Sequence, residues 1–538
     1  MQRLARCSGQ AKLGYGARPT EDDSVARPVA YPEESAGTAD GGDHEEGLAA
    51  TAEPDGDTAL GAVIEPSDDD ADEGFFWTGS SDKWAGIFSA ALGLANPVPR
   101  CAETSKPTAA TLFSGTEAPI LALEMLAAGV YRHTVSCDSS PASREFTRAN
   151  FNPEHQFTHV EHYSLPFAEC CICGEGCAAF HNKINFLMAG FPCTPFSGMS
   201  PRRWKDGYDP LGHPDAAAFL ALRRFLGNTD HDSEPDAALL ENVGSVLHQS
   251  RTQGPTAAEL IMSGILQKPD GKKDFKYGLK FLKPFWVKMF GPLAGTTVGI
   301  SFERPRCFWL LLRRSRYSEA NLQAWYDNAT YLASRAIKPK PATCHFADER
   351  ASQNADSSCD SGSDSGLAET AGPLLKKQRV ALQQTAAIFR KAHGLAKFGS
   401  ADGHPYSTTA PDDIRRRLSP RELDVLDSAF LYLQKFADGV PDNLAVDVSQ
   451  SPSRMPWRTG GHLPSPCKRS LIWHKGRVLD PATLFFLMGW PRNSLRLPKL
   501  KTSQLRALIG NMCCPPQAGL LIASFLAVHP EFKIPDKD

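Results

Sequence analysis

Hydrophobic patterning starts late in this chain. Residues 1 to about 105 are rich in Gly, Ala, Asp, Glu and Pro and show no strand or helix period, so they are expected to form a disordered acidic arm. From Thr111 the pattern changes. Thr111-Leu112-Phe113 predicts a short buried strand, Ser114-Gly115-Thr116 a tight turn, and Pro119 to Ala128 a helix. In that helix Ile120, Leu121, Leu123 and Leu126 keep helical spacing, and Gly129 is the stop. Thr134 to Cys137 predicts a second strand ending at Asp138, and Pro141 to Asn150 a second helix. Strand, turn, helix and a strand ending in an acid make a βαβ unit. Further strands are predicted at Phe186 to Ala189, Ala237 to Leu240 and Cys307 to Leu312, alternating with helices, so the expected fold class is α/β.

Beyond Arg316 the pattern weakens. Residues 347 to 372 are rich in Ser, Asp and Ala and read as part of a low-complexity insert reaching to about 412. A helix is predicted from Ser419 to about Phe436, because Ser419 and Glu422 fit a capping box with Pro420 in the first turn. Arg415-Arg416-Arg417 before it suits either phosphate contact or a solvated loop. Order returns at Ala482 to Met488 and Leu505 to Leu526, and no internal repeat is found. The expected divisions are an arm over 1–105, a first ordered domain over 106–312, a second region over 313–470, and a C-terminal segment over 471–530 that packs back on the first domain.

Composition narrows the functional classes. With 41% hydrophobic residues the chain can build a sizeable core. No stretch approaches the roughly 18 consecutive apolar residues of a membrane span, so no membrane partner is expected. Fourteen cysteines in 538 residues are too sparse and irregular for a disulfide scaffold, which points to free thiols in a reducing compartment. Net charge is −3, but Glu21 to Glu73 holds 18 acids against the single base Arg27. That local −17 leaves about +14 for the rest of the chain, a moderately basic body that suits a polyanion. The arm is expected to act as a solubilising tail.

Three segments carry candidate chemistry. Phe191-Pro192-Cys193-Thr194-Pro195 follows an apolar strand and sets a thiol between two rigid prolines at the strand's C-terminal end, where α/β sheets hold ligands. Such a cysteine is either a positioned nucleophile or an inert buried thiol. Leu239-Leu240-Glu241-Asn242-Val243 puts a carboxylate at the end of a buried strand, where desolvation raises its pKa; a helix-capping or salt-bridged Glu is the alternative. Arg304 and Arg306 share one face of an extended segment, suited to a polar base edge, to orienting the Glu, or to an ordinary surface.

In this order the segments resemble the cytosine-5 DNA methyltransferases, over about residues 111–312 and 470–528. Phe113-Ser114-Gly115-Thr116 is similar to the family's first motif, Pro192-Cys193 to its catalytic loop, Glu241-Asn242-Val243 to the motif after it, and Arg304-Pro305-Arg306 to its Arg-x-Arg. Arg477 to Pro481 with Leu487 to Pro491 resembles the ninth motif, and Gly510-Asn511-Met512 through Pro516 the tenth. The resemblance implies a Rossmann-like sheet that binds S-adenosylmethionine, with a smaller target-recognition domain over 313–470, and methyl transfer to carbon 5 of cytosine in DNA. It implies Cys193, Glu241, Arg304 and Arg306 as catalytic residues, with Arg304 and Arg306 on the base or phosphate. It implies Phe113, Gly115, Thr116, Asp138, Glu161, Pro192, Asn511 and Met512 around the cofactor, Phe113 against its adenine and Asp138 on its ribose. The family's second motif-one Gly is Glu117 here, its Pro-Gln is Ser301-Phe302, its ninth-motif Glu is Thr483, and Cys513 and Cys514 replace tenth-motif residues. Glu117 is expected to lean toward the methionine end of the cofactor.

DNA is the expected partner, a monomer the expected state and the nucleus the expected location. The first 20 residues carry Arg3, Arg6, Lys12 and Arg18 and no acid, which keeps an organelle open. An RNA cytosine-5 methyltransferase and a homologue without turnover are the competing readings; the Cys-Phe-Thr tripeptide of the transfer-RNA enzymes is absent. Trp457-Arg458-Thr459-Gly460-Gly461 reads either as a groove-reading loop or as a linker turn. Cys170-Cys171-Ile172-Cys173 through Cys177, with His181 after it, has spacings compatible with zinc but follows no standard zinc pattern, and no metal ligand is assigned.

Overall fold

A computed structural model describes residues 83–94, 106–165, 167–178, 183–197, 210–227, 235–248, 256–263, 266–267, 273–274, 278–335, 385–395, 418–437, 439–491 and 494–529, all in one compact unit, Asp72–Asp538. Seven strands form its main sheet: β1 (Thr108–Leu112), β2 (Arg132–Cys137), β3 (His155–Phe157), β4 (Phe186–Gly190), β5 (Ala237–Val243), β6 (Phe285–Leu293) and β7 (Arg306–Arg313), in the order β6-β7-β5-β4-β1-β2-β3. The helices that matter below are α1 (Lys83–Ala91), α2 (Ala118–Leu126), α3 (Pro141–Asn150), α4 (Ala217–Gly227), α5 (Ala257–Ser263), α6 (Glu319–Ser334), α7 (Pro420–Phe436), α8 (Pro481–Leu487), α9 (Thr502–Asn511) and α10 (Pro515–Leu526).

The expected α/β class is present. β1 pairs in parallel with β2 on one side and β4 on the other, while β7 runs antiparallel to β5 and β6. Strand order therefore reverses between β1 and β4, and the crevice at that reversal is where such sheets hold ligands. Successive side chains point to opposite faces. Leu239 joins the apolar layer under α1, α2, α6 and α10, and Leu240 the layer under α4 and α5. β3 and β6 had no predicted counterpart. The first is three residues long, and only part of β6 is buried.

The domain limits expected from sequence need four corrections. The arm was expected to lack structure through residue 105, yet α1 buries Trp84 completely and Phe88 nearly so. A Cβ at Gly519 of α10 would lie 2.1 Å from the Trp84 ring, so that glycine is what lets the indole in. Residues 313–335 belong with the main sheet: α6 packs on α10, and Trp325 Nε1 donates to Leu521 O at 2.8 Å. The second region is built from α7 and a small antiparallel sheet, β8 (Ala445–Asp447), β9 (Trp457–Arg458), β10 (Ile472–His474) and β11 (Arg477–Val478), which crosses the expected limit at 470. Residues 385–392, expected within the low-complexity insert, are helical, and Phe389 packs against Tyr432 and Trp457. Trp457 is thus a core residue. The predictions for 347–372, 415–417 and His181 lie outside the described residues. Thr502–Leu526 is apolar enough to span a membrane, but it holds two helices whose most apolar window is 83% buried in the protein.

Removing the Trp84 side chain should leave a cavity against α10. Trp84→Ala is expected to cost about 3–5 kcal/mol in urea unfolding; a loss under about 1 kcal/mol would show that α1 does not plug the core.

Candidate functional site

The crevice at the β1/β4 reversal holds an open pocket. Its walls come from the β1–α2 turn (Phe113 to Thr116), from Met188 to Gly190 at the end of β4, from Leu239 and Glu241 of β5, and from Asn511 to Cys513 between α9 and α10. Of the cofactor residues predicted from sequence, Phe113, Gly115, Thr116, Asn511 and Met512 line it, and Glu241 of the catalytic set lines it too.

The β1–α2 turn is tightly wound. Phe113, Gly115 and Glu117 have φ of 55°, 56° and 57°, a left-handed conformation that costs energy for the two residues with side chains. Neighbouring strands hold it there. Ser114 N donates to Cys137 O at 3.1 Å, and Gly115 N donates to Asp138 Oδ2 at 2.8 Å. Asp138 also accepts from Ser140 N at 2.8 Å, so its carboxylate braces the turn and the start of α3. Burial raises the Asp138 pKa despite these two backbone donors. Glu161 is exposed on the short helical turn Val160–Ser164 after β3, and neither it, Asp138 nor Pro192 lines the cavity.

Glu117 departs from its expected placement. Its side chain is fully buried and lies outside the cavity lining. One carboxyl oxygen accepts from Thr111 Oγ1 at 2.9 Å and Ser136 Oγ at 2.6 Å, with His133 Nε2 at 3.8 Å. The acid therefore turns back between β1 and β2 instead of into the cavity. Burial outweighs the hydroxyl donors and pushes Glu117 up to about 8; burial also takes His133 down to about 3, so the imidazole is neutral.

The catalytic candidates sit on adjacent strand ends. Asn242, next to Glu241, donates from Nδ2 to Phe191 O at 3.0 Å and ties the Pro192-Cys193 loop to β5. The amides of Phe196 and Ser197 both donate to Cys193 O at 2.8 Å, which closes the loop into a turn, and Phe191 packs against Phe196, Phe219 and Trp309. Across the strand end, Arg306 Nε lies 2.5 Å from Glu241 Oε1. Burial raises the Glu241 pKa and Arg306 pulls against it. For Arg306 burial works against the charge, and Glu241 restores it to above its ordinary value. The half-buried Cys193 thiol is raised by burial, with Arg306 opposing and Glu241 adding to the rise. Gly190 keeps the space open: a Cβ there would lie 3.1 Å from Glu241 Oε2.

Arg304 does not join this group. It is nearly fully buried, with φ 27°, and its guanidinium donates to Met512 O at 2.6 Å, Pro466 O at 2.7 Å and Gly510 O at 3.0 Å. Every strong contact it makes is to backbone carbonyl, so it fixes the Asn511–Cys513 wall instead of facing a base. The i, i+2 spacing put both arginines on one face of an extended segment, and the left-handed φ at Arg304 breaks that alternation. Sequence reasoning also missed Met188, Ala189 and Cys513 as cavity lining; a glycine directly after an apolar strand was the one signal for the first two.

No family model and no curated protein matches the chain. Among solved structures, a mutant DNMT2 of Spodoptera frugiperda is 14% identical over 78% of this chain and 100% of that one, with a TM-score of 0.35. The Dnmt2 methyltransferase of S. pombe is 11% identical over 78% and 98%, TM-score 0.37. A putative DNA modification methyltransferase encoded within an E. coli prophage is 14% identical over 78% and 98%, TM-score 0.38. At these TM-scores the likenesses bear on neither fold nor activity.

Because Glu117 binds its proton more tightly folded than unfolded, the folded state gains from protonation below about pH 4.5 and loses that gain as pH rises toward about 8. Unfolding free energy should fall across that window, by up to about 1.4 kcal/mol per pH unit. Glu117→Gln is expected to flatten the slope in urea titrations at pH 5, 6.5 and 8; an unchanged slope would show that Glu117 titrates normally.

Proposed function

We propose that this chain transfers a methyl group from S-adenosylmethionine to carbon 5 of cytosine in DNA, through a transient adduct on Cys193. One juxtaposition carries the reading: Glu241 lines the same cavity as the strained Phe113–Thr116 turn and pairs with Arg306 at 2.5 Å. A cofactor pocket and a candidate acid thus share one space.

The cavity residues suit S-adenosylmethionine. Thr116 Oγ1 is buried without a hydrogen-bond partner, which leaves a polar group for a ligand, and Gly115 keeps the turn's backbone bare of side chain. Phe113, Gly115, Thr116, Asn511 and Met512 would hold the cofactor, which supplies an electrophilic methyl group when bound.

The residue chemistry follows from what cytosine lacks. Carbon 5 is too weak a nucleophile to take a methyl group unaided. A Cys193 thiolate adding to carbon 6 makes the ring an enamine with electron density at carbon 5. Glu241, whose pKa burial raises, donates a proton toward ring N3 and stabilises the adduct. Arg306 holds the Glu241 carboxyl in place and lowers the cost of the Cys193 thiolate. After transfer a base removes the carbon-5 proton and the Cys193–carbon 6 bond breaks. None of this fits inside a stacked duplex, so the cytosine must leave the helix, at a cost of a few kcal/mol.

With S-adenosylmethionine and DNA carrying 5-fluorocytosine, the wild-type protein should form an adduct stable to SDS that Cys193→Ser abolishes. An adduct on 5-fluorocytosine RNA but not DNA would move the substrate to RNA, and no adduct on either would overturn the catalytic reading. Glu241→Gln should slow methylation about 100-fold or more while cofactor affinity stays within a few-fold; unchanged turnover would remove Glu241 from the chemistry.

A further inference from the structure

We propose that His155, Cys170, Cys173 and Cys177 bind one zinc ion, in a closed structural site on the β3 edge of the sheet. The four side chains offer one ligand atom each, and all four atoms lie within 4.8 Å of one another, the one group of this kind found among the described residues. Two of the three nitrogen–sulfur distances are those a tetrahedral ion imposes. His155 Nδ1 is 3.5 Å from Cys173 Sγ, 3.5 Å from Cys177 Sγ and 3.9 Å from Cys170 Sγ. With Zn–S near 2.3 Å and Zn–N near 2.0 Å, tetrahedral geometry puts nitrogen and sulfur roughly 3.5 Å apart.

The backbone around Cys170 is shaped for a thiolate. Gln156 N and Cys173 N both approach Cys170 Sγ, at 3.4 Å and 3.5 Å. Gly174 N donates to Cys170 O at 2.9 Å, and Gly174 itself has φ 71°, so the Cys170–Gly174 turn curls its amides toward the sulfur. A sulfur that accepts from two amides is stabilised as an anion, the form a metal needs. Cys177 comes from the return strand of the short hairpin formed by Ala168–Glu169 and Gly176–Cys177, and His155 opens β3. The histidine comes from 15 positions upstream of Cys170, which the Cys-x2-Cys-x3-Cys spacing alone cannot reveal.

Three thiolates and one imidazole complete a four-coordinate shell, with no open position for water or substrate. The ion would therefore act as a clip. Cys171 N donates to Gln156 O at 2.7 Å, so the hairpin already lies along the free edge of β3; the metal would lock it there and cover that edge. Soft thiolates with one imidazole favour zinc over magnesium, calcium or manganese. Cys171 is exposed and outside the ligand set, which makes it the internal control.

The test uses the full chain, expressed with zinc in the medium and purified under reductant without chelator. Elemental analysis should find about one zinc per chain, falling to background in Cys173→Ser and His155→Ala and unchanged in Cys171→Ser. Because the first two variants can also fail to fold, the wild type is stripped and reloaded with cobalt(II). The charge-transfer and intense visible bands of a tetrahedral thiolate–cobalt site should appear and vanish on adding zinc. Wild-type protein with no zinc and no thiolate–cobalt bands, or equal zinc in all four proteins, would overturn the proposal. Loss of the metal should also lower Tm, a readout independent of methyl transfer.

Discussion

A single buried cation holds the candidate site together. Arg304 precedes β7, yet its guanidinium spans carbonyls at Pro466, Gly510 and Met512, more than 160 positions away in sequence. Its own backbone is gripped in return: Ser465 Oγ accepts from Arg304 N at 3.0 Å, and Gln517 Nε2 donates to Arg304 O at 3.0 Å. Burial lowers its pKa to about 10, which still leaves it charged at neutral pH. A buried cation without partners would be severely destabilising; one wrapped in carbonyl dipoles is tolerated, and it fixes their geometry. Two residues later Arg306 reaches Glu241, so the cavity wall and the acid's partner are set by one short stretch of chain.

The two buried acids of the crevice illustrate how partners decide the role of a carboxyl. Glu241 has a guanidinium at 2.5 Å and faces the cavity. Glu117 has only hydroxyls and a neutral imidazole, is driven up to about 8, and faces away. The first can exchange a proton with something in the cavity while keeping a countercharge beside it. The second serves as a neutral hydrogen-bonding plug between β1 and β2.

Much of this was legible in the residues. The βαβ start, the acid at the end of β2, the Cys193 loop and the capping box of α7, where Ser419 and Glu422 bond reciprocally, all rest on local rules of turn, cap and strand chemistry. What escaped depends on contacts distant in sequence. β3 is too short to show a period, and its place is fixed by pairing with β2. Trp84 opens a short apolar stretch without acids that lies just after the acidic arm, and its burial rests on packing against α10, where Gly519 leaves room for the ring. Arg304 looked like a site residue because its spacing to Arg306 was read as plain extended chain, and one left-handed φ undid that reading. His155 belongs to the cysteine cluster through strand pairing, which no spacing encodes.

The packing of α10 on α2 has a consequence for how the protein is born. α10, which stacks Phe525 on Phe186 of β4, is made roughly 390 residues after the helix it packs against. A nascent chain leaving the ribosome must therefore keep part of the apolar layer under α10 uncovered until that helix has been made. Long-range closure of this kind is slow and exposes apolar surface meanwhile. Until α10 emerges, the apolar layer it will cover is open to aggregation.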